Sequence, residues 1–304
     1  MDGSTKYSAQ SYADDPRNEN VLISVNGELV PRDQGCVSVF DAGFALGDGV
    51  WEGMRLINDK IFASSEHIDR LYAGALSIQL NIGLSKDEIL REIYKTTEAN
   101  DMHDGAHIRL MVTRGKKKTP NQDPRFALGA PTIVIIAEYK APNPAVWSKG
   151  LQLLTSTIRC SNPDVFDLHL NSHSRLNLIQ ALLQAINAGC DEALMLDQRG
   201  FVASCNSTNF FIVCKGELWT STGLYNFKGI TRKKIIELFK NKVGVVREVD
   251  FTLAEAYSAD EAFVTGTLGG VTPVTVIDGR PIGTGQVGDV TRKISDIYRE
   301  FIST

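Results

Sequence analysis

Between Lys149 and Lys215 the chain contains no lysine, although lysine and arginine together number 32 among its 304 residues. That stretch is closed to any chemistry that needs a lysine amine. Cysteine is sparse too: the five at 36, 160, 190, 205 and 214 form no CxxC pair and no even framework. Such scattering excludes a disulfide scaffold and suits a reducing, cytoplasmic setting in which each thiol is a small hydrophobe. No apolar run reaches the roughly 18 residues of a spanning helix, and the N-terminus has no apolar signal core, so no membrane association is expected. A net charge of −4 gives no electrostatic reason to expect nucleic acid or an anionic surface as partner. The one basic run, Arg114-Gly-Lys-Lys-Lys118, reads as a solvated loop.

What is present is an ordinary globular composition, 43% hydrophobic and 22% charged, in a chain long enough for two domains. Residues 1–20 are polar and aperiodic and read as a loose arm. Val21–Pro31 reads as a hairpin about Asn26-Gly27, and Val50–Phe62 repeats the design about Asn58-Asp59. Helices follow Ser64 and the capping box Ser85-Lys-Asp-Glu88, then strands at His107–Thr113 and Thr132–Tyr139. Lys140-Ala-Pro-Asn-Pro144 reads as a linker, giving a small domain over 21–139, a linker over 140–148 and a larger domain over 149–304. In the second domain, strands at 151–158, 192–196, 209–213, 217–220, 261–265 and 271–277 mix with helices at 176–188, 231–242 and 290–302. Strands and helices do not follow a strict βαβ rhythm, so the fold class is α+β in two domains, with a ligand pocket expected between them.

Three features carry possible chemistry. Gly229-Ile-Thr-Arg232 feeds a helix, where unpaired N–H groups, the dipole and the Thr231 hydroxyl suit a phosphate; a threonine there is also an ordinary N-cap. Gly266-Thr-Leu-Gly-Gly270 is a glycine-rich turn directly after a strand. Arg55 and Arg109 lie in apolar strands and each calls for an anionic partner, a structural carboxylate or a ligand.

Taken together, Val50-Trp-Glu-Gly-Met-Arg55, Glu66-His-Ile-Asp-Arg-Leu71, Gly229–Arg232 and Val264-Thr-Gly-Thr-Leu-Gly-Gly-Val-Thr-Pro-Val274 resemble the phosphate-binding segments of class IV aminotransferases. These are the branched-chain and D-amino-acid type, and the order and spacing hold over roughly 21–300. The resemblance implies their two-domain fold and pyridoxal phosphate (PLP) as cofactor. It also implies a small amino acid or 2-oxo acid as substrate, and a homodimer. It assigns Arg55, Ile230, Thr231, Gly266 and Thr267 to the cofactor phosphate, and Arg109 to the substrate.

Two departures stand against that pattern. The family's cofactor-bearing lysine should fall within His169-Leu-Asn-Ser-His-Ser-Arg175, where there is none. Its pyridine-nitrogen glutamate, five residues before Asn209 of Asn209-Phe-Phe211, is here Ser204. A serine can hydrogen-bond the ring nitrogen but cannot supply the charge that keeps it protonated. PLP would then be held without a covalent bond and another base would have to move the proton; His169 and His173 are the candidates, though each could equally be a capped or core histidine. Three readings stay open: amino-group transfer by a non-standard route, a PLP-independent enzyme reusing the anion cup, and a non-catalytic relative.

Overall fold

The computed structural model describes residues 8–304, so the first part of the expected arm, residues 1–7, lies outside them. The chain divides into two compact units. The first comprises Asp14–Ala141 and Leu170–Arg175; the second comprises the segment ending at Ala13, Pro142–His169 and Leu176–Thr304. Both mix helix and sheet, the α+β two-domain architecture expected.

The first unit runs β1 (Leu22–Val25), β2 (Glu28–Pro31), α1 (Ala42–Leu46), β3 (Gly49–Ile57), β4 (Lys60–Ile61), α2 (Ser64–Ser77), α3 (Lys86–Glu98), β5 (Ala106–Thr113) and β6 (Thr132–Tyr139). Its antiparallel sheet has the order β2-β1-β6-β5-β3-β4. Asn26 and Gly27 turn the first hairpin with φ of 53° and 85°, the left-handed pair that matches strand twist. Alternation in β3 and β5 sorts the side chains by face. Val50, Met54, Leu56, Ile108, Leu110 and Val112 build one core with the apolar stripes of α2 and α3. Trp51, Arg55, His107 and Arg109 occupy the opposite, polar face, as the pairing Arg55↔His107 and Gly53↔Arg109 requires. The Ser85 capping box opens α3 as expected.

The second unit runs α4 (Pro144–Lys149), β7 (Leu151–Thr155), α5 (Leu176–Asn187), β8 (Glu192–Leu196), β9 (Val202–Cys205), β10 (Asn209–Cys214), β11 (Glu217–Thr220), α6 (Ile230–Lys242), β12 (Val246–Glu248), α7 (Leu253–Tyr257), β13 (Glu261–Gly266), β14 (Gly270–Ile277), β15 (Arg280–Pro281) and α8 (Asp289–Ser303). Its mixed sheet has the order β12-β11-β10-β13-β14-β7-β8-β9, with β15 on β14. On one face Phe211 and Phe263 stack at 5.0 Å within a cluster that includes Ile235 and Phe239 of α6 and Ile294 of α8. On the other, Phe210, Ile212, Val264 and Leu194 pack with Phe251.

Four local expectations change. The linker read over 140–148 contains a helix, because Pro144 stands at its first position and the Asn143 side chain accepts from Ala145 N at 3.0 Å. Residues 8–20 are held rather than loose: Glu192 accepts from Ala9 N at 2.9 Å, and Pro16–Asn20 forms a 3-10 turn capped by Asp15. Strand β9 and helix α1 carry no periodic signal and exist through β8 pairing and the Asp41 cap respectively. The basic run is not simply solvated. Arg114 pairs with Asp48 at 2.6 Å and donates to the Ile78 and Gln79 carbonyls beyond α2, while Lys117 is 1% exposed and donates to Asn121 O.

Ile108, fully buried at the centre of the first sheet, is the simplest test of that core. Ile108→Ala should lower unfolding free energy by about 2–5 kcal/mol, read by denaturant titration, and a loss below about 1 kcal/mol would contradict the packing described.

Candidate functional site

The second unit builds an uncapped helix start from the strand end upward. Asn209 begins β10 and turns its amide onto the segment ahead of α6. Its Nδ2 donates to Phe227 O at 2.7 Å, and its Oδ1 accepts from Gly229 N at 3.2 Å. Gly229 is required, since a Cβ there would stand 2.4 Å from Asn209 Oδ1. The helix then starts with Gly229 as N-cap and no capping side chain among the described residues. Lys233 N is bonded back to Gly229 O at 3.1 Å, which leaves the N–H groups of Ile230, Thr231 and Arg232 ahead of the first intrahelical bond. Thr231 is buried within this turn and is not its cap, so the ordinary N-cap explanation for it is removed. Arg232 points away, donating to Ser221 O at 2.7 Å and to Glu248 at 3.0 Å.

Gly266–Gly270 joins β13 to β14, carrying a half-buried Thr267. Gly270 has φ 61°, and a Cβ on Gly269 would come within 2.9 Å of Ala9 O, so the turn must stay glycine-rich. Nearby in the same unit, Ser204 Oγ donates to Thr208 O at 2.8 Å and Thr208 Oγ1 donates to Glu192 at 2.8 Å. Burial pushes the Glu192 carboxyl above its usual range, against the donors Thr208, Ala9 and Ser8.

On the polar face of the first unit the Arg109 guanidinium lies 3.8 Å over the Trp51 ring, with that of Arg175 at 5.4 Å. Burial, then the charges of Arg109 and Arg70, push Arg175 down to about 10. Burial, followed by Arg109, Lys140 and Arg55, pushes His107 down to about 3, so its ring is neutral. On the core face, burial opposes ionisation of Glu52, but hydrogen bonds from Arg70 and His67 hold its carboxyl below the usual range.

The segment expected to carry the family's lysine edges β3. Ser172 bridges Val50, Trp51 N donates to Asn171 O at 3.0 Å, and Trp51 Nε1 donates to Ser172 O at 3.0 Å. Asn171 donates to Trp51 O and accepts from Arg175. The two candidate histidines fall in different units. His169 Nε2 donates to Gly223 O at 2.7 Å, with Nδ1 3.3 Å from Asp167. His173 is shifted down, chiefly by burial, and its buried Nε2 has no hydrogen-bond partner among the described residues.

Ile230, Thr231, Gly266, Thr267 and Ser204 therefore belong to the second unit, and Arg55 and Arg109 to the first. Sequence reasoning missed Asn209 as a brace, where it served only as a register mark, and missed Trp51 and Arg175 altogether. The donor set of the α6 turn fits a phosphate. The residues for the rest of the implied cofactor do not fit: residues 150–214 hold no amine, and the Ser204 proton is already spent.

Comparison with known proteins agrees with this geometry. The family described as amino-transferase class IV matches residues 49–277. Branched-chain-amino-acid aminotransferase-like protein 2 of Arabidopsis thaliana is 40% identical over 94% of the chain, which spans about half of that relative's length, 51%. D-alanine aminotransferase of Listeria monocytogenes serotype 4b is 34% identical, over 92% of this chain and 96% of its own. The branched-chain amino acid aminotransferase of Thermobaculum terrenum, solved in its PLP-form, superposes with a TM-score of 0.83 at 26% identity, over 94% of this chain and 95% of its own. Among the described residues no helix is long and apolar enough to cross a membrane, and no His, Cys, Asp and Glu group is arranged to hold a metal.

The neutral His107 has a measurable sign. Its folded value lies below its ordinary 6.5, so the stability it contributes is fully present above that value and is lost as pH falls toward about 3. In an NMR titration the His107 ring should stay neutral through pH values where exposed His103, raised first by Asp59 and then by Asp101, is already charged. A His107 midpoint at or above that of His103 would overturn the assignment.

Proposed function

The chain belongs to the class IV aminotransferase family, and from that premise we propose that it holds a pyridoxal or pyridoxamine phosphate by the phosphate and moves an amino group between a small amino acid or amine and a 2-oxo acid. The observation that carries this reading is the uncapped first turn of α6, fixed by Asn209 and holding the buried Thr231. Ile230 and Thr231 donate from that turn, and Gly266 and Thr267 from the glycine turn. When bound, the cofactor supplies an electrophilic carbon and a conjugated ring that takes up electrons.

The chain's own contribution departs from the family's in two ways. Nothing in 150–214 ties the cofactor covalently, so phosphate contacts and packing hold it. By the family resemblance Ser204 would face the ring nitrogen of a bound cofactor, where it would supply no carboxylate and the electron sink would be weaker. His173 is the better placed of the two histidines to hold a proton, because its buried Nε2 is uncommitted while both nitrogens of His169 face partners. Arg109, stacked on Trp51, is the group for a substrate carboxylate. The sparse, scattered cysteines of the sequence support a cytoplasmic setting, and the homodimer rests on the family. A second reading, an anion-binding relative that does not use this chemistry, is favoured by one observation: the Ser204 hydroxyl is turned onto Thr208 O.

The test is a spectroscopic titration of the purified chain with PLP, followed by borohydride reduction and peptide mapping. We expect saturable binding with no lysine labelled anywhere in the chain, and conversion of PLP to pyridoxamine phosphate by an amino donor. Binding without conversion would select the second reading, and no binding of PLP or pyridoxamine phosphate would reject the first.

A further inference from the structure

Resting on the reading of the α6 turn as a phosphate site, we infer that Thr265, which no family motif assigns to the phosphate, donates its hydroxyl to the bound anion. Thr265 is 2% exposed, and its Oγ1 finds no hydrogen-bond partner among the described residues. A buried hydroxyl without a partner is costly, and threonine's branched shape could be had from valine without that cost. The hydroxyl therefore calls for a ligand.

Register shows where it points. Thr265 stands directly opposite Asn209 across the β10–β13 ladder, and cross-strand neighbours project to the same face. Two residues before Thr265 on β13 and two after Asn209 on β10, Phe263 and Phe211 lie on that face beneath α6 and α8. The Asn209 amide on this face reaches Phe227 and Gly229, the turn that opens α6. Thr265 Oγ1 thus lies on the face α6 covers, at the end where α6 presents uncapped N–H groups. Its backbone leads straight into Gly266, so one residue adjoins both turns assigned to the anion. A hydroxyl donor beside backbone N–H groups is the donor set a phosphate dianion accepts.

The experiment measures binding of inorganic phosphate and of PLP to the full chain, with the melting temperature of the unliganded protein alongside. Thr265→Val keeps the shape and removes the donor. We expect affinity for both probes to fall about tenfold, the loss of one hydrogen bond to a charged group, while the unliganded melting temperature stays level or rises. Thr265→Ser, which restores a hydroxyl, should recover affinity to within roughly threefold of the parent. If the parent binds both probes and Thr265→Val binds them equally, the inference fails and the phosphate reading survives. Weaker binding with a lowered unliganded melting temperature would make the hydroxyl a structural group and also overturn it. If the parent binds neither probe, the phosphate reading fails and takes this inference with it.

Discussion

Much of the second unit's site geometry depends on one side-chain amide. Asn209 reads both a carbonyl and an N–H of the Phe227–Gly229 segment, a two-point contact that fixes the position and direction of a loop. A helix end becomes an anion site only when its N–H groups are left open and held still. Gly229 supplies the first condition by having no side chain, and Asn209 supplies the second from a strand locked in the sheet. A serine or aspartate at the N-cap would have closed the same turn on itself.

The polar face of the first unit works by imbalance. Glu52 is consumed on the opposite face by His67 and Arg70, and Glu138 is shared by Arg32 and Lys140. Burial and then the charge of Arg109 push Arg175 down, and both guanidiniums share the Trp51 ring, whose quadrupole offsets about 2 kcal/mol for a desolvated guanidinium. That is less than the cost of burying such a charge in an apolar interior. His107 stays neutral on this face, chiefly through burial and then through the charge of Arg109.

Much of this was legible in the chain. The hairpins at Asn26-Gly27 and Asn58-Asp59, the Ser85 capping box and the strands at 192–196 and 217–220 follow from local turn, cap and pattern chemistry, which acts within a few residues. The α6 start and the glycine turn were legible as turns because glycine and a helix start mark them. Asn209, Thr265 and Arg175 were not, because their roles come from strand register and from contacts across many residues. Helix α4 was hidden by treating two prolines as breakers when Pro144 sits at the one helical position that tolerates it. Lys117 was hidden because burial of a lysine follows from the Asn121 loop closing over it, which no charge count reports.

The second unit opens with a segment ending at Ala13, gives way to the first, and resumes at Pro142. On a ribosome the strand set β1–β6 is complete before most of its interrupted neighbour has been made. The contact between Ala9 and Glu192 spans 183 positions, so it cannot form until the chain beyond β7 has emerged. Loop-closure entropy rises only slowly with such a separation, which lets evolution place one unit inside another at small thermodynamic cost. The burden falls on timing: the buried carboxylate of Glu192 meets a partner made long before it, which must be kept free until β8 emerges.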